Sequence, residues 1–281
     1  MAAPVNAVPE LSDRDLATIV RLVYEKSGIT LHSGKRALVT ARLQKVLKLG
    51  GFCSFKEYLR SVKADTSGGE VTTLLNAIAT NHTAFFREPQ HFEFLAKAVL
   101  PPLYARSDTL PVLGWSAACS SGEEPYTIAM TAFEQYGHDT DRRVRLLASD
   151  LSTRALGRAQ AGVYKAERVA GLPRHLLLKY FEQRSPLERA TVRIAEPVRR
   201  LVEFRRLNLL DPPPPGRPLD FIFCRNALIY FDRPIQQRVV QHLEQRLAPG
   251  GYLFTSHSES LNGLSHRLAW VAPAVYQRGP R

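Results

Sequence analysis

Cysteine, methionine and tryptophan are all scarce in this chain of 281 residues, at three, two and two. Cys53, Cys119 and Cys224 lie far apart with no CxxC spacing, which excludes a disulfide framework or a cysteine-based zinc motif and leaves three thiols expected to be buried. The eight histidines show no HExxH or comparable ligand spacing, so no metal is expected. No apolar run approaches the roughly 20 residues needed to cross a bilayer, and the opening Met-Ala-Ala-Pro-Val-Asn lacks the basic and apolar regions of a secretory leader. A cytoplasmic location without membrane insertion is therefore expected. With 44% hydrophobic and 23% charged residues, general disorder is excluded too.

Positive charge, in contrast, is plentiful. Thirty-eight Lys and Arg against 26 Asp and Glu leave a net charge of +12, which suits nucleic acid, an anionic membrane surface or an acidic protein. Much of the excess falls between Arg142 and Arg206, and its arginines lack the interleaved aromatics of a single-strand binding platform. The charge reads as a solvated, partner-facing surface, with no nucleic-acid partner expected.

From Ser12 to Ala79 the apolar spacing is helical, with starts at Ser12-Asp13 and Ser33 and a stop at Gly50-Gly51. Residues 1–79 are expected to form a small helical domain. Over Ser33–Leu49, Val39, Leu43, Val46 and Leu47 fall on one side of a helical wheel, and Lys35, Arg42, Lys45 and Lys48 on the other. That cationic face is either an ordinary solvated surface or a docking surface for a glutamate-bearing partner helix.

Residues 80–281 alternate between apolar strands and helices. Strands are expected over Pro111–Ser116, Val144–Ser149, Leu219–Cys224, Tyr252–Ser256 and Trp270–Gln277, and helices over Glu123–Gln135, Thr153–Ala161 and Arg233–Leu247. Such alternation predicts an α/β, doubly wound, mainly parallel sheet covered by helices. Between about 174 and 208, the runs Thr191–Ile194 and Leu201–Phe204 predict an inserted antiparallel patch. Pro212–Pro215 follows as a stiff connector.

The chemistry concentrates at the ends of these strands. Ala117-Ala-Cys-Ser-Ser-Gly122 is a small-residue loop between strand and helix, where a backbone can approach a nucleotide-like ligand. It departs from GxGxxG and is equally a plain tight turn. Asp150 ends a strand where doubly wound folds offer a carboxylate to ribose hydroxyls, unless it serves as a helix N-cap. Glu123 opens a helix and could simply favour its dipole. Arg225 and Asn226 follow a buried strand at the crevice, with Tyr230 close behind. Asp211-Pro-Pro-Pro214 lacks the aromatic fourth residue of an amino-group methyltransferase motif.

The polar stretch Asn81-His-Thr-Ala-Phe-Phe-Arg87 and Trp115–Pro125 together resemble the CheR family of chemotaxis methyltransferases. Further blocks at Ala148–Leu151, Val202–Leu210, Phe221–Asp232 and His257-Ser-Glu-Ser260 extend the resemblance over nearly the whole chain. It implies a class I methyltransferase-like (Rossmann-like) domain with a small β-subdomain, behind an all-α N-terminal domain. The implied activity is transfer of a methyl group from S-adenosylmethionine to glutamate side chains of chemoreceptors, leaving S-adenosylhomocysteine. It also implies that Asn81, Thr83, Arg87, Glu123, Asp150, Asn208, Leu209, Arg225 and Asn226 contact the cofactor, with Asn208-Leu209 beside the adenine. Arg87 and Tyr230 are placed near the methyl group and the incoming carboxylate. The implied partner is the cytoplasmic helical region of a chemoreceptor, with a receptor C-terminal peptide gripped by the β-subdomain in some members. A monomer is expected. The alternatives are a methyltransferase of this fold acting on nucleic acid or a small molecule, and a signalling adaptor without turnover.

Overall fold

The computed structural model describes residues 9–106, 110–183 and 190–279. The opening residues read for a leader, and positions 184–189 of the expected insert, lie outside that range. The chain divides into two compact units, Met1–Thr80 with Tyr230–Asp232, and Asn81–Ile229 with Arg233–Arg281.

The smaller unit holds helices α1 (Asp13–Ser27), α2 (Arg36–Gly50), α3 (Phe55–Ala64) and α4 (Gly69–Ile78). Local chemistry sets their ends. Ser12 caps α1 by accepting from the Asp15 amide at 3.1 Å, and Ser54 caps α3 through the Glu57 amide at 3.2 Å. Gly51 closes α2 at φ +71°, a conformation glycine adopts without a Cβ penalty. Val39, Leu43 and Leu47 are buried as their spacing requires, while Val46 is only half-buried. A late segment joins this unit: the Thr30 amide donates to the Tyr230 carbonyl at 2.8 Å, Ile29 bridges Phe231, and the Tyr24 hydroxyl donates to Asp232 at 2.8 Å.

The larger unit contains helices α5 (Gln90–Phe94), α6 (Leu100–Arg106), α7 (Glu123–Tyr136), α8 (Thr140–Arg143), α9 (Thr153–Ala161), α10 (Arg174–Tyr180), α11 (Glu196–Arg200) and α12 (Arg233–Arg246). A π-helical turn, Leu95–Val99, links α5 to α6. Its strands are β1 (Val112–Ser116), β2 (Val144–Asp150), β3 (Val163–Lys165), β4 (Phe181–Gln183), β5 (Thr191–Ile194), β6 (Val202–Arg206), β7 (Leu219–Phe223), β8 (Leu247–Phe254), β9 (Leu268–Ala272) and β10 (Val275–Arg278). Seven of them form a sheet in the order β6-β2-β1-β7-β8-β10-β9, in which β6 through β8 run parallel and the β9–β10 hairpin is antiparallel. The crossovers bring the carboxyl ends of β6, β2, β1 and β7 to one edge, the usual ligand edge of an open α/β sheet. Every residue of β7 is buried, and Asp220 within it is matched by Arg106 at 2.6 Å and the Leu113 amide at 2.8 Å.

Three expectations change. The run at 201–204 does not join the inserted patch; from Val202 on it lies within β6, which pairs in parallel with β2. The separate antiparallel sheet is three-stranded, β3-β5-β4, and starts at Val163, upstream of the expected 174. The single last strand over 270–277 is instead a hairpin that turns at Ala274, at φ +56°.

Candidate active site

The loop after β1 is pinned across its neighbours. The Ala117 amide donates to the Phe223 carbonyl at 2.7 Å and the Cys119 amide to the Ser149 carbonyl at 2.8 Å, so the loop runs over the ends of β7 and β2. It then turns through two left-handed residues, Ser120 at φ +51° and Gly122 at φ +96°. Gly122 is required twice over. A Cβ there would stand 2.8 Å from the Ala159 Cβ and 2.9 Å from the Tyr164 hydroxyl, on a backbone that side chains resist.

Asp150 ends β2 beside this turn. One carboxylate oxygen accepts from the Ser120 amide and the other from the Ser152 amide, both at 2.8 Å. The N-cap alternative is excluded, because Ser152 caps α9 by accepting from the Ala155 amide at 3.2 Å. Burial pushes the Asp150 carboxyl up, against the lowering effect of these backbone donors. The Ser120 hydroxyl is buried without a hydrogen-bond partner among the described residues. An acceptor-only carboxylate next to an orphaned hydroxyl, on a loop of small residues, fits the ribose end of a nucleoside cofactor.

Segment 81–88 is tied down at several points of the same edge. The Asn81 amide group donates to the Ser152 hydroxyl at 3.4 Å, and the Phe86 amide to the Thr127 hydroxyl at 3.2 Å. Arg168 donates to the Thr83 carbonyl at 2.8 Å and also pairs with Glu123, whose other oxygen accepts from Ser121 at 2.7 Å. Phe86 and Glu88 take left-handed conformations, at φ +51° and +56°, on either side of half-buried Arg87. The Arg87 guanidinium donates to the His82 carbonyl at 3.0 Å.

Arg225 is a buried hub. Its guanidinium reaches Glu124 at 3.1 Å, Glu88 at 3.0 Å and the Arg87 carbonyl at 2.5 Å. Glu124 also accepts from the Ser116 hydroxyl at 2.7 Å. Burial raises the Glu124 carboxyl despite Arg225 beside it; burial also pushes Glu88 up, but there Arg225, Ser256 and His91 prevail and leave it lowered. Asn226, at φ +57°, gives its side-chain amide to Ser256 at 2.8 Å and its backbone amide to buried Glu259 at 2.8 Å. Asn208 accepts from the Leu210 amide at 3.2 Å, just past β6, and half-buried Leu209 follows it.

Asn81, Thr83, Arg87, Glu123, Asp150, Asn208, Leu209, Arg225 and Asn226 thus all fall in the larger unit. Two carry internal commitments that the sequence did not reveal: Glu123 to Arg168, and Arg225 to Glu124 and Glu88. Tyr230 groups with the smaller unit. Arg42 has a structural role there, donating to the Ile78 and Ala79 carbonyls and to Thr80, whereas Lys45 and Lys48 are exposed and Lys35 half-buried. Sequence reasoning overlooked Glu88, Glu124, Arg168, Ser256 and Glu259. For Glu88, Glu124, Ser256 and Glu259 the local cue was a position inside or beside the polar blocks, and Arg168 had none.

Residues 81–276 match the family model described as "CheR methyltransferase, SAM binding domain", and residues 14–79 match "CheR methyltransferase, all-alpha domain". With the doubly wound sheet and the carboxyl-edge cradle, these matches define an S-adenosylmethionine-dependent methyltransferase. The chain is 37% identical over 269 residues to a chemotaxis protein methyltransferase of Borreliella burgdorferi, covering 94% of each. It is 39% identical over 263 residues to chemotaxis protein methyltransferase 2 of Pseudomonas aeruginosa, covering 93% of this chain and 92% of that one. It is 37% identical over 268 residues to the Escherichia coli chemotaxis protein methyltransferase, covering 95% and 91%. The chain belongs to the CheR methyltransferase family.

Proposed function

We propose that this chain methylates glutamate side chains of chemoreceptors in the cytoplasm, giving methyl esters. The observation that carries the reading is the cradle of Asp150, Ser120 and Gly122 at the carboxyl edge, in a chain whose family match spans both units.

When bound, S-adenosylmethionine supplies an electrophilic methyl group on a sulfonium. Asp150 would accept from the ribose hydroxyls, with the orphaned Ser120 hydroxyl beside it. Asn208 and Leu209 would hold the base. The tethered segment with Asn81, Thr83 and Arg87 would cover the donor and exclude water. Glu123 acts by anchoring Arg168 and through it the Thr83 backbone, and Arg225 likewise holds Arg87 through its carbonyl.

The chain needs no general base. A substrate glutamate with pKa near ~4.3 is already a carboxylate at neutral pH, so the remaining task is alignment, which can supply on the order of 7–11 kcal/mol. Arg87 orients that carboxylate with its planar fork. Because a strong ion pair would stabilise the bound substrate as well as the transition state, the benefit of Arg87 lies in orientation rather than attraction. Exposed Lys45 and Lys48 offer the acidic receptor helix a docking surface.

The decisive experiment incubates the protein with labelled S-adenosylmethionine and receptor-bearing membranes, then releases methanol with alkali. Alkali-labile label on receptor protein is expected. Label on nucleic acid or a small molecule, or no transfer at all, would replace the proposal with one of the alternatives.

A further inference from the structure

Glu88, His91 and His257 each present one ligand atom, and these atoms all lie within 4.8 Å of one another. The sequence showed no ligand spacing because the fold assembles the three from opposite ends of the larger unit. His91 is 1% exposed, and its ring stacks on that of exposed His257 at 4.9 Å between centroids. Its Nε2 lies 3.4 Å from the Pro273 carbonyl and its Nδ1 3.4 Å from Glu88 Oε2. Among the described residues Nδ1 is buried without a hydrogen-bond partner, and Glu88 Oε2 makes ion contacts with Arg225 and His91.

This geometry cannot be satisfied by a neutral imidazole alone. The ring carries one N–H, so whichever nitrogen holds it, the other turns a lone pair towards an oxygen lone pair of Pro273 or Glu88. A second proton would resolve the conflict only by placing a cation in a buried position. A metal ion also resolves it, because the Nδ1 lone pair then faces the ion instead of an oxygen and the Glu88 carboxylate offsets part of the charge. With the proton on Nε2 and donated to Pro273, the carbonyl takes the outer-shell role that usually fixes a ligating histidine, and Nδ1 is free to bind metal. Exposed His257 adds a second nitrogen on the solvent side, which leaves an entry path and room for water.

We propose that Glu88, His91 and His257 form a binding site for a zinc-class divalent ion. Two imidazoles and one carboxylate favour zinc over magnesium or calcium, which prefer all-oxygen sites. Arg225 does not forbid the ion, since buried Glu124 already shares its charge. Binding would fasten Glu88, and with it the left-handed turn that carries Arg87.

The test uses full-length protein stripped with a chelator and titrated with Zn²⁺ by calorimetry, with Co²⁺ as the spectroscopic probe. His257→Ala is the main variant because that side chain is exposed, and S-adenosylhomocysteine binding reports that its fold is intact. Wild type should take up one ion per chain, show visible cobalt bands, and melt at a higher temperature with zinc. His257→Ala should lose at least about tenfold in affinity together with the cobalt bands. Absence of stoichiometric uptake by the wild type, or a loss below tenfold in the variant, would overturn the site.

Discussion

Asp150 carries a charge that its surroundings resist. Its folded-state pKa lies above the reference 3.8, so between those two values the folded chain binds more protons than the unfolded one. The contribution of this residue to stability is therefore fully present below 3.8 and lost as pH rises through that window. Relative to Asp150→Asn, wild type should gain stability as pH is lowered from about 7 towards 4, measured by denaturant unfolding at each pH. The same variant should bind S-adenosylhomocysteine more weakly, by on the order of tenfold, for loss of a charged acceptor. Arg87→Ala should cut turnover at least about tenfold while melting normally, because the guanidinium is a positioning group held internally by the His82 carbonyl among the described residues. Gly122→Ala should cost about 1–3 kcal/mol by thermal unfolding, for a strained backbone and a Cβ driven into Ala159 and Tyr164. At this scale the sequence was readable where one residue type has one use, as at Gly122 or a strand-terminal Asp150. Arg225 and Glu123 were not readable in the same way. Their partners Glu124, Glu88 and Arg168 are set by tertiary folding, and no spacing rule connects residues 225 and 88.

Gly114 sits at the centre of β1 with the Phe221 ring 2.3 Å from where its Cβ would be and Leu146 at 2.8 Å. The close approach makes room for the Phe221 ring, which meets Phe223 edge-on at 6.0 Å, and Phe223 in turn stacks on Phe254 at 4.2 Å. Gly114→Ala should therefore overpack the core and cost about 1–3 kcal/mol, read as a lowered melting temperature with the parallel sheet intact by circular dichroism. Most elements were legible because buried parallel strands are continuous apolar runs and helices have capped ends, as at Ser12 and Gly51. Two were not, for specific reasons. The β9–β10 turn uses Ala274 in a left-handed conformation, so no glycine or asparagine marks it. Val202–Arg206 is an edge strand, short and half-polar, and such a run looks the same whether it joins a large sheet or a small insert.

At the scale of the molecule, the net charge of +12 should matter for encounter more than for chemistry. Receptor methylation at low substrate should slow several-fold between about 50 and 300 mM salt, while product affinity changes far less. Lys45→Glu with Lys48→Glu should raise the KM for receptor without lowering the melting temperature; Arg42 is unsuitable for that test because it braces the end of α4. The smaller unit also borrows three residues, Tyr230–Asp232, from far along the chain, and bonds them through Thr30, Ile29 and Tyr24. A fragment severed after Thr80 would leave the Thr30 amide and the Tyr24 hydroxyl without their acceptors. The helical module is therefore not portable by simple truncation, and a graft onto another enzyme would have to carry a surrogate for that returning tripeptide.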